Sequence, residues 1–170
     1  SGFTGPVAVA VDDANGMVYV LNRNSATVQK RDTNGNLLLQ WGGSGSGSGM
    51  LQSPEGIGVD AAGYIFVADS GNHRIQKFDA SGAFIAMWGA YGAGDGQFYW
   101  PTDVDVDSIG NIYVSDYGNN RIQKFNSHGD FLLKWGTTGN GDGQMYGPYG
   151  VAVDADGYAY VVEYGNARVQ

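Results

Sequence analysis

Residues 63–78 read Gly-Tyr-Ile-Phe-Val-Ala-Asp-Ser-Gly-Asn-His-Arg-Ile-Gln-Lys-Phe, and residues 110–125 repeat them as Gly-Asn-Ile-Tyr-Val-Ser-Asp-Tyr-Gly-Asn-Asn-Arg-Ile-Gln-Lys-Phe. The two stretches lie 47 positions apart, and the same period runs outward from them in both directions. Pro6, Pro54, Pro101 and Pro148 follow it at intervals of 48, 47 and 47, as do Asp12, Asp60, Asp107 and Asp154. Trp41, Trp88 and Trp135 keep intervals of 47. The one extra residue falls in a turn, where Asp12-Asp13-Ala14-Asn15-Gly16 replaces Asp60-Ala61-Ala62-Gly63. A fixed period of this length marks a repeat architecture.

Within one period the residues form four short runs rich in β-branched and aromatic side chains, each bounded by turn formers. In the second copy these are Gly56 to Asp60, Tyr64 to Ala68, Arg74 to Phe78 and Phe84 to Gly89. The turns between them are Asp60-Ala61-Ala62-Gly63, Asp69-Ser70-Gly71-Asn72 and Asp79-Ala80-Ser81-Gly82. Glycine in each turn is expected to supply a positive φ, and Asp or Asn to bond the backbone two residues on. No helical periodicity is sustained anywhere. Short turns between consecutive runs predict a four-stranded antiparallel meander, and meanders at a fixed period predict a β-propeller. The fold class is therefore all-β. Residues 1–170 form one propeller segment with blades at about 6–42, 54–89, 101–136 and, incomplete, 148–170. Lettered A to D, the strands run through three full blades and A, B and C of a fourth, about 3.75 blades.

These motifs resemble the NHL repeat. The likeness is carried by Gly58-Val59-Asp60, by 63–78 and 110–125, and by the links Gly92-Ala93-Gly94-Asp95-Gly96-Gln97-Phe98 and Gly139-Asn140-Gly141-Asp142-Gly143-Gln144-Met145. It covers essentially the whole chain. The first copy departs most, with Asn24-Ser25-Ala26-Thr27 in place of Gly-Asn-His-Arg and Arg31 in place of Phe. The resemblance implies rings of about six blades, on the order of 280 residues. The start at Ser1-Gly2-Phe3 suits a processed form or a piece of something larger. Three arrangements are open: an excerpt of a longer propeller, a partial ring completed by another chain as a homo-oligomer or polymer, and an open arc. The last would leave blade faces and a strand edge in water.

Composition narrows the function. A net charge of −8, with nine Lys and Arg scattered along the chain, repels a phosphate backbone, so no nucleic-acid partner is expected. This conflicts with the RNA binding that the resemblance to some animal NHL proteins implies. The absence of cysteine removes disulfides, thiolate metal sites and cysteine nucleophiles. No apolar run approaches the roughly 18 residues of a membrane span. Low charge with abundant Tyr, Asn and Gly suits an extracellular or cell-envelope setting.

Repetition separates framework from function, since a framework group is needed in every blade. Arg74, Arg121 and Arg168 recur with Asp69, Asp116 and Glu163 five residues earlier, predicting a guanidinium–carboxylate brace at each B–C turn. The three tryptophans at the ends of the D strands read as packing anchors between blades. Function is sought where copies differ, at the B–C turns and D–A links. Those positions are His73, Tyr91, Tyr99, Trp100, Tyr117, Tyr146, Tyr149 and Tyr164, with Glu55 near the channel mouth. Their rings serve recognition of a protein or glycan, or they simply pack the Gly-rich links. Trp100 stands out because Ser53 and Gly147 hold its position elsewhere.

Asp103 and Asp105 replace the Gly or Ala of other blades and share one side of their strand with Asp107. Such oxygens suit Ca²⁺ or Mg²⁺, although two carboxylates on one strand fit a hydrated channel wall better. His73 and His128 fall in turns expected on opposite faces and so make no joint metal site. The family's zinc-containing amidating lyase rests on clustered histidines that this sequence lacks. No nucleophile elbow, phosphate loop or zinc motif occurs. The Gly/Ser-rich tract 42–49 keeps the 13-residue Trp-to-Pro spacing of the other links and reads as a degenerate link. The sequence thus points to a non-catalytic interaction or self-assembly module that presents an aromatic, acidic face and needs no cofactor. The alternative is a fragment of a calcium-dependent, lactonase-like or lyase-like propeller enzyme.

Overall fold

A computed structural model describes residues 2–170 and arranges them as four antiparallel sheets. The first holds β1 (Pro6–Asp12), β2 (Met17–Asn22), β3 (Thr27–Asp32) and β4 (Leu37–Gly42). The second holds β5 (Gly56–Val59), β6 (Ile65–Asp69), β7 (Arg74–Phe78) and β8 (Phe84–Trp88). The third holds β9 (Pro101–Val106), β10 (Ile112–Asp116), β11 (Arg121–Phe125) and β12 (Phe131–Trp135). The fourth has three strands, β13 (Pro148–Val153), β14 (Ala159–Glu163) and β15 (Arg168–Val169). Strands pair in chain order within every sheet, so each is the meander the repeat predicts. These are four blades of a β-propeller.

Turn chemistry sets each register. Asp60 accepts the backbone N–H groups of Ala62 and Tyr64 at 3.0 and 2.9 Å, and Asp154 does the same for Asp156 and Tyr158. Asp12 instead holds Asn15, at 3.1 Å from its backbone N–H, which absorbs the inserted residue without altering the strands.

Inner strands β1, β5, β9 and β13 lie side by side, and the core forms between blades rather than inside them. Tyr19, Leu21 and Val28 of the first blade are buried with Ile57, Val67 and Phe78 of the second. Phe66 and Ala68 then meet Val104, Val114 and Phe125, and Tyr113 meets Val151 and Val161. The repeated tryptophans join these layers. Trp41 touches Tyr19 at 6.2 Å and Phe78 of the next blade at 6.1 Å, while Trp88 lies 6.3 Å from Phe66 and 6.0 Å from Phe125. Glycine in β5 has a packing cause: a Cβ at Gly56 would lie 2.5 Å from the Asp103 Cα. The outermost faces are uncovered, as Val9 is 58% exposed whereas its counterparts Ile57, Val104 and Val151 are at most 5% exposed.

The B–C turns differ from expectation. In the second and third blades each is a short 3₁₀ turn, Ser70–Asn72 and Tyr117–Asn119, and the positive φ falls on His73 (56°) and Asn120 (54°), not on glycine. Gly71 is required for close approach: its N–H bonds the Gln52 carbonyl at 2.9 Å, and a Cβ there would sit 2.8 Å from the same oxygen. The turn therefore docks on the D–A link, which is why glycine stands second in it.

Candidate functional site

The predicted brace is present in three blades and does more than hold a turn. Arg74 Nε donates to Asp69 at 2.7 Å while its two terminal nitrogens reach the Ser46, Gly47 and Met50 carbonyls of the preceding link. Asp69 also accepts the Gln52 backbone N–H at 2.7 Å. Arg121 repeats this with Asp116 and the Ala93, Gly94 and Gln97 carbonyls. Arg168 repeats it with Glu163 and the Asn140, Gly141 and Gln144 carbonyls. The Gly/Ser-rich tract 42–49 is thereby fixed as an ordinary link. In the first blade the neutral Asn22 and Thr27 stand in place of the ions: Asn22 accepts the Thr4 backbone N–H at 3.1 Å, and the Thr27 hydroxyl bonds that of Ser25 at 2.8 Å.

Environment separates two of these carboxylates. Burial raises the Asp116 carboxyl above its usual value, against the lowering by the Tyr99 N–H, Asn119 and Arg121. Burial also works upward on Glu163, but Arg168, the Tyr146 N–H, Asn166 and Gln170 outweigh it and hold the group at about 2. Both remain fully covered, so the brace is a buried framework element.

Fixing the links in this way presents the candidate residues of the B–C turns and D–A links on one face. Four of them, Glu55, Trp100, Tyr117 and Tyr149, line a cavity of about 500 Å³ together with Arg23, Gln52 and Thr102. His73, Tyr91 and Tyr99 stand beside it behind Trp100. His73 lies 5.1 Å from Tyr91 and 6.0 Å from Tyr99, and Tyr99 lies 5.6 Å from Trp100. Tyr146 and Tyr164 border a neighbouring depression of about 300 Å³ that shares Tyr117 as a wall. All nine candidate residues thus lie on one aromatic face. His128 lines a separate depression with Asp60, Tyr64 and Ile109 at the opposite end of the blades.

Trp100 is the best-placed ring. It is 51% exposed, and its backbone is held at φ 55°, a left-handed conformation costly for a bulky residue. Gly5, Ser53 and Gly147 take the same left-handed conformation at equivalent positions (φ 66°, 43° and 62°), so the indole stands at a position that glycine fills in two of the other three blades.

Three blades meet across the cavity. Arg23 of the first forms an ion pair with Glu55 of the second at 2.5 Å, and the Tyr149 hydroxyl of the fourth donates to Glu55 at 3.3 Å. Burial and the Glu55 charge both raise the Tyr149 hydroxyl pKa. Thr102 ties the wall by donating to the Tyr149 carbonyl at 2.8 Å, and the Ser70 hydroxyl donates to the Pro101 carbonyl.

Sequence reading missed Arg23 and Ser70, although both occupy the register of Tyr117 and Tyr164, at intervals of 47. Position in the repeat, rather than aromatic character, is the signal that finds them.

Asp103 and Asp105 point toward the fourth blade. Asp103 accepts the Val104 and Val151 N–H groups at 2.9 and 3.0 Å, and Asp105 accepts the Val153 N–H at 2.7 Å. These carboxylates therefore cap backbone donors of β13. Burial lifts Asp103 to about 6, with the two N–H bonds working against it and the Asp105 charge adding to it. Among the described residues no three His, Cys, Asp or Glu side chains converge as a metal site would require, and no helix is long and apolar enough to cross a membrane.

Residues 51–78 and 98–125 match the family model of the NHL repeat. No curated protein matches the sequence. Among solved structures the chain is similar to the hydrazine synthase of Kuenenia stuttgartiensis, with a TM-score of 0.71 and 15% identity over 99% of this chain and 49% of that one. It is also similar to the nidogen/laminin complex, with a TM-score of 0.72 and 21% identity over 96% of this chain and 59% of that one. Virginiamycin B lyase from Staphylococcus aureus gives 0.72 and 12% identity over 98% of this chain and 55% of that one. The chain spans about half to three-fifths of the length of these structures. A synthase, a binding complex and a lyase share the fold, so fold alone does not choose between catalysis and binding. Two segments of the chain thus match the NHL repeat, and the chain as a whole is built as blades of a β-propeller.

Proposed function

We propose that this segment is a non-catalytic interaction module whose aromatic face, around Trp100, Tyr117 and Tyr149, receives a protein or glycan partner. One observation carries this reading: Glu55, Trp100, Tyr117 and Tyr149, at positions where the copies differ, line one cavity, while the recurring Arg–carboxylate braces make the framework. Trp100 adds to it, because a ring in a glycine-like conformation is retained against the local preference of the backbone. Exposed Tyr and Trp supply contact area with a polar tip and little rotamer entropy, as recognition surfaces require. The engagement of Asp103 and Asp105 with β13 backbone supports binding over metal-centred catalysis. Low charge and abundant Tyr and Gly fit an extracellular or cell-envelope module.

Trp100→Gly tests the reading with little effect on folding. Relief of the left-handed strain, about 1–2 kcal/mol, offsets the loss of ring contacts worth about 0.5–1.5 kcal/mol. Affinity capture from the native source should recover one saturable partner with the parent chain and with Ile109→Ala on the opposite face. The same partner should be lost with Trp100→Gly. Equal recovery by all three would refute the proposal.

A further inference from the structure

The 500 Å³ cavity has a chemistry that selects among ligands, and the selection deepens the reading of this face on which it rests. Its size lies within the range of small-molecule sites. One wall is the Trp100 indole, backed by Tyr99 at 5.6 Å and anchored by its backbone N–H on His73 Nδ1 at 3.2 Å. The rest of the lining is largely polar. It carries the Arg23–Glu55 pair at 2.5 Å, with Tyr149 on the same carboxylate, and the Gln52 amide and Tyr117 hydroxyl, which bond no other described residue. Arg23 is 48% exposed and Glu55 10%, so both remain within reach of a ligand at the mouth.

Charge disfavours two classes of occupant. A cation would have to compete with Arg23 for Glu55, and an anion would have to take Arg23 away and leave the largely covered Glu55 carboxylate unpaired. An aliphatic chain would cover both charged heads and the Gln52 amide without replacing their water. What remains is a neutral molecule with one flat apolar face and an edge of paired donors and acceptors. We propose that the cavity binds the ring of a neutral saccharide. The C–H face of a pyranose lies on Trp100, and adjacent hydroxyls bridge Glu55, Arg23 and Gln52. A hydroxyl both donates and accepts, so it can serve carboxylate and guanidinium together without breaking their pair.

The test is an NMR titration of the 170-residue chain, following the Trp100 indole N–H, which is assigned by its loss in Trp100→Phe. The probes are methyl β-D-glucopyranoside, methyl β-D-galactopyranoside, N-acetylglucosamine and cellobiose, with methylguanidinium and inorganic phosphate as charged comparators. At least one neutral sugar should shift the signal saturably with a Kd on the order of 1 mM. Glu55→Gln and Gln52→Ala should each weaken that binding about tenfold, Trp100→Gly should abolish it by calorimetry, and Ile109→Ala should leave it unchanged. No saturable shift up to on the order of 100 mM sugar would overturn the proposal, as would tighter binding of methylguanidinium or phosphate. Calorimetric binding that persists in Trp100→Gly would overturn it too. If the sugars fail while partner capture still depends on Trp100, the saccharide assignment alone falls. If capture is also indifferent to Trp100, the binding face falls with it.

Discussion

The backbone N–H of Trp100 donates to Nδ1 of His73 at 3.2 Å, and in the next blade Gly147 donates in the same way to Oδ1 of Asn120 at 2.8 Å. His73 and Asn120 share a register and a positive φ, so imidazole and amide perform one task. An acceptor at Nδ1 requires the neutral ring with its proton on Nε2. Burial holds His73 below its ordinary 6.5, and the charges of Asp116 and Asp69 pull it partly back. A lowered folded pKa means that this contribution to stability is complete above about 6.5 and is lost as the pH falls through the lower folded value. Trp100 fluorescence should therefore be constant above neutral pH and change on acidification. His73→Asn should keep the acceptor and remove that part of the pH response; an unaltered titration would count against the brace.

The ion-pair brace makes a prediction about its own necessity. Removing Arg121 leaves Asp116 buried beside Asn119 and Gln123 without its cation, an arrangement that costs about 3–5 kcal/mol. Arg121→Thr should lower the urea midpoint accordingly. The first blade holds the same turn with Asn22 and Thr27, so Asp116→Asn added to Arg121→Thr should recover part of the loss, about 1–2 kcal/mol. A double variant less stable than the single one would contradict the account.

Asp103 predicts a pH dependence of opposite sign to that of His73. Its folded value of about 6 lies above the ordinary 3.8, so the folded chain holds this proton more tightly. The resulting stabilisation is present below about 3.8 and is lost as pH rises through about 6. The difference in unfolding free energy between the parent chain and Asp103→Asn should shift between pH 4 and pH 7, in the direction of relative loss for the parent. A difference independent of pH would show that Asp103 is not held in this way.

Glycines in equivalent strands should differ in tolerance. A Cβ at Gly56 meets the Asp103 Cα at 2.5 Å and the Thr102 carbonyl at 2.7 Å, both backbone atoms that cannot step aside. At Gly150 the nearest atom would be 3.7 Å away. Gly56→Ala should cost roughly 1–3 kcal/mol and Gly150→Ala less than about 0.5 kcal/mol, measured by chemical unfolding.

The repeat made the framework legible. The period placed the strands within a residue or so, and recurrence identified Arg74, Arg121 and Arg168 as braces because a group present in every copy cannot be specific to one site. Much of the face was legible by the inverse argument, since Trp100 and the tyrosines break the period. Arg23 and Ser70 escaped because their significance is positional: Arg23 matters through Glu55 and Tyr149, which the fold brings from two other blades. The helical form of the B–C turn escaped because glycine there suggested a positive φ, whereas docking on Gln52 is what demands it. Nor does strand alternation reveal that Asp103 and Asp105 reach across to the N–H groups of Val151 and Val153.

Covalent footprinting of exposed tyrosine and tryptophan, with and without the captured partner, measures most directly whether the unrepeated rings form the binding face. Protection should fall on Tyr91, Trp100, Tyr117 and Tyr149 and leave Tyr64 and Tyr158 labelled as in the free chain. Protection of Tyr64 and Tyr158 with Trp100 still labelled would contradict it.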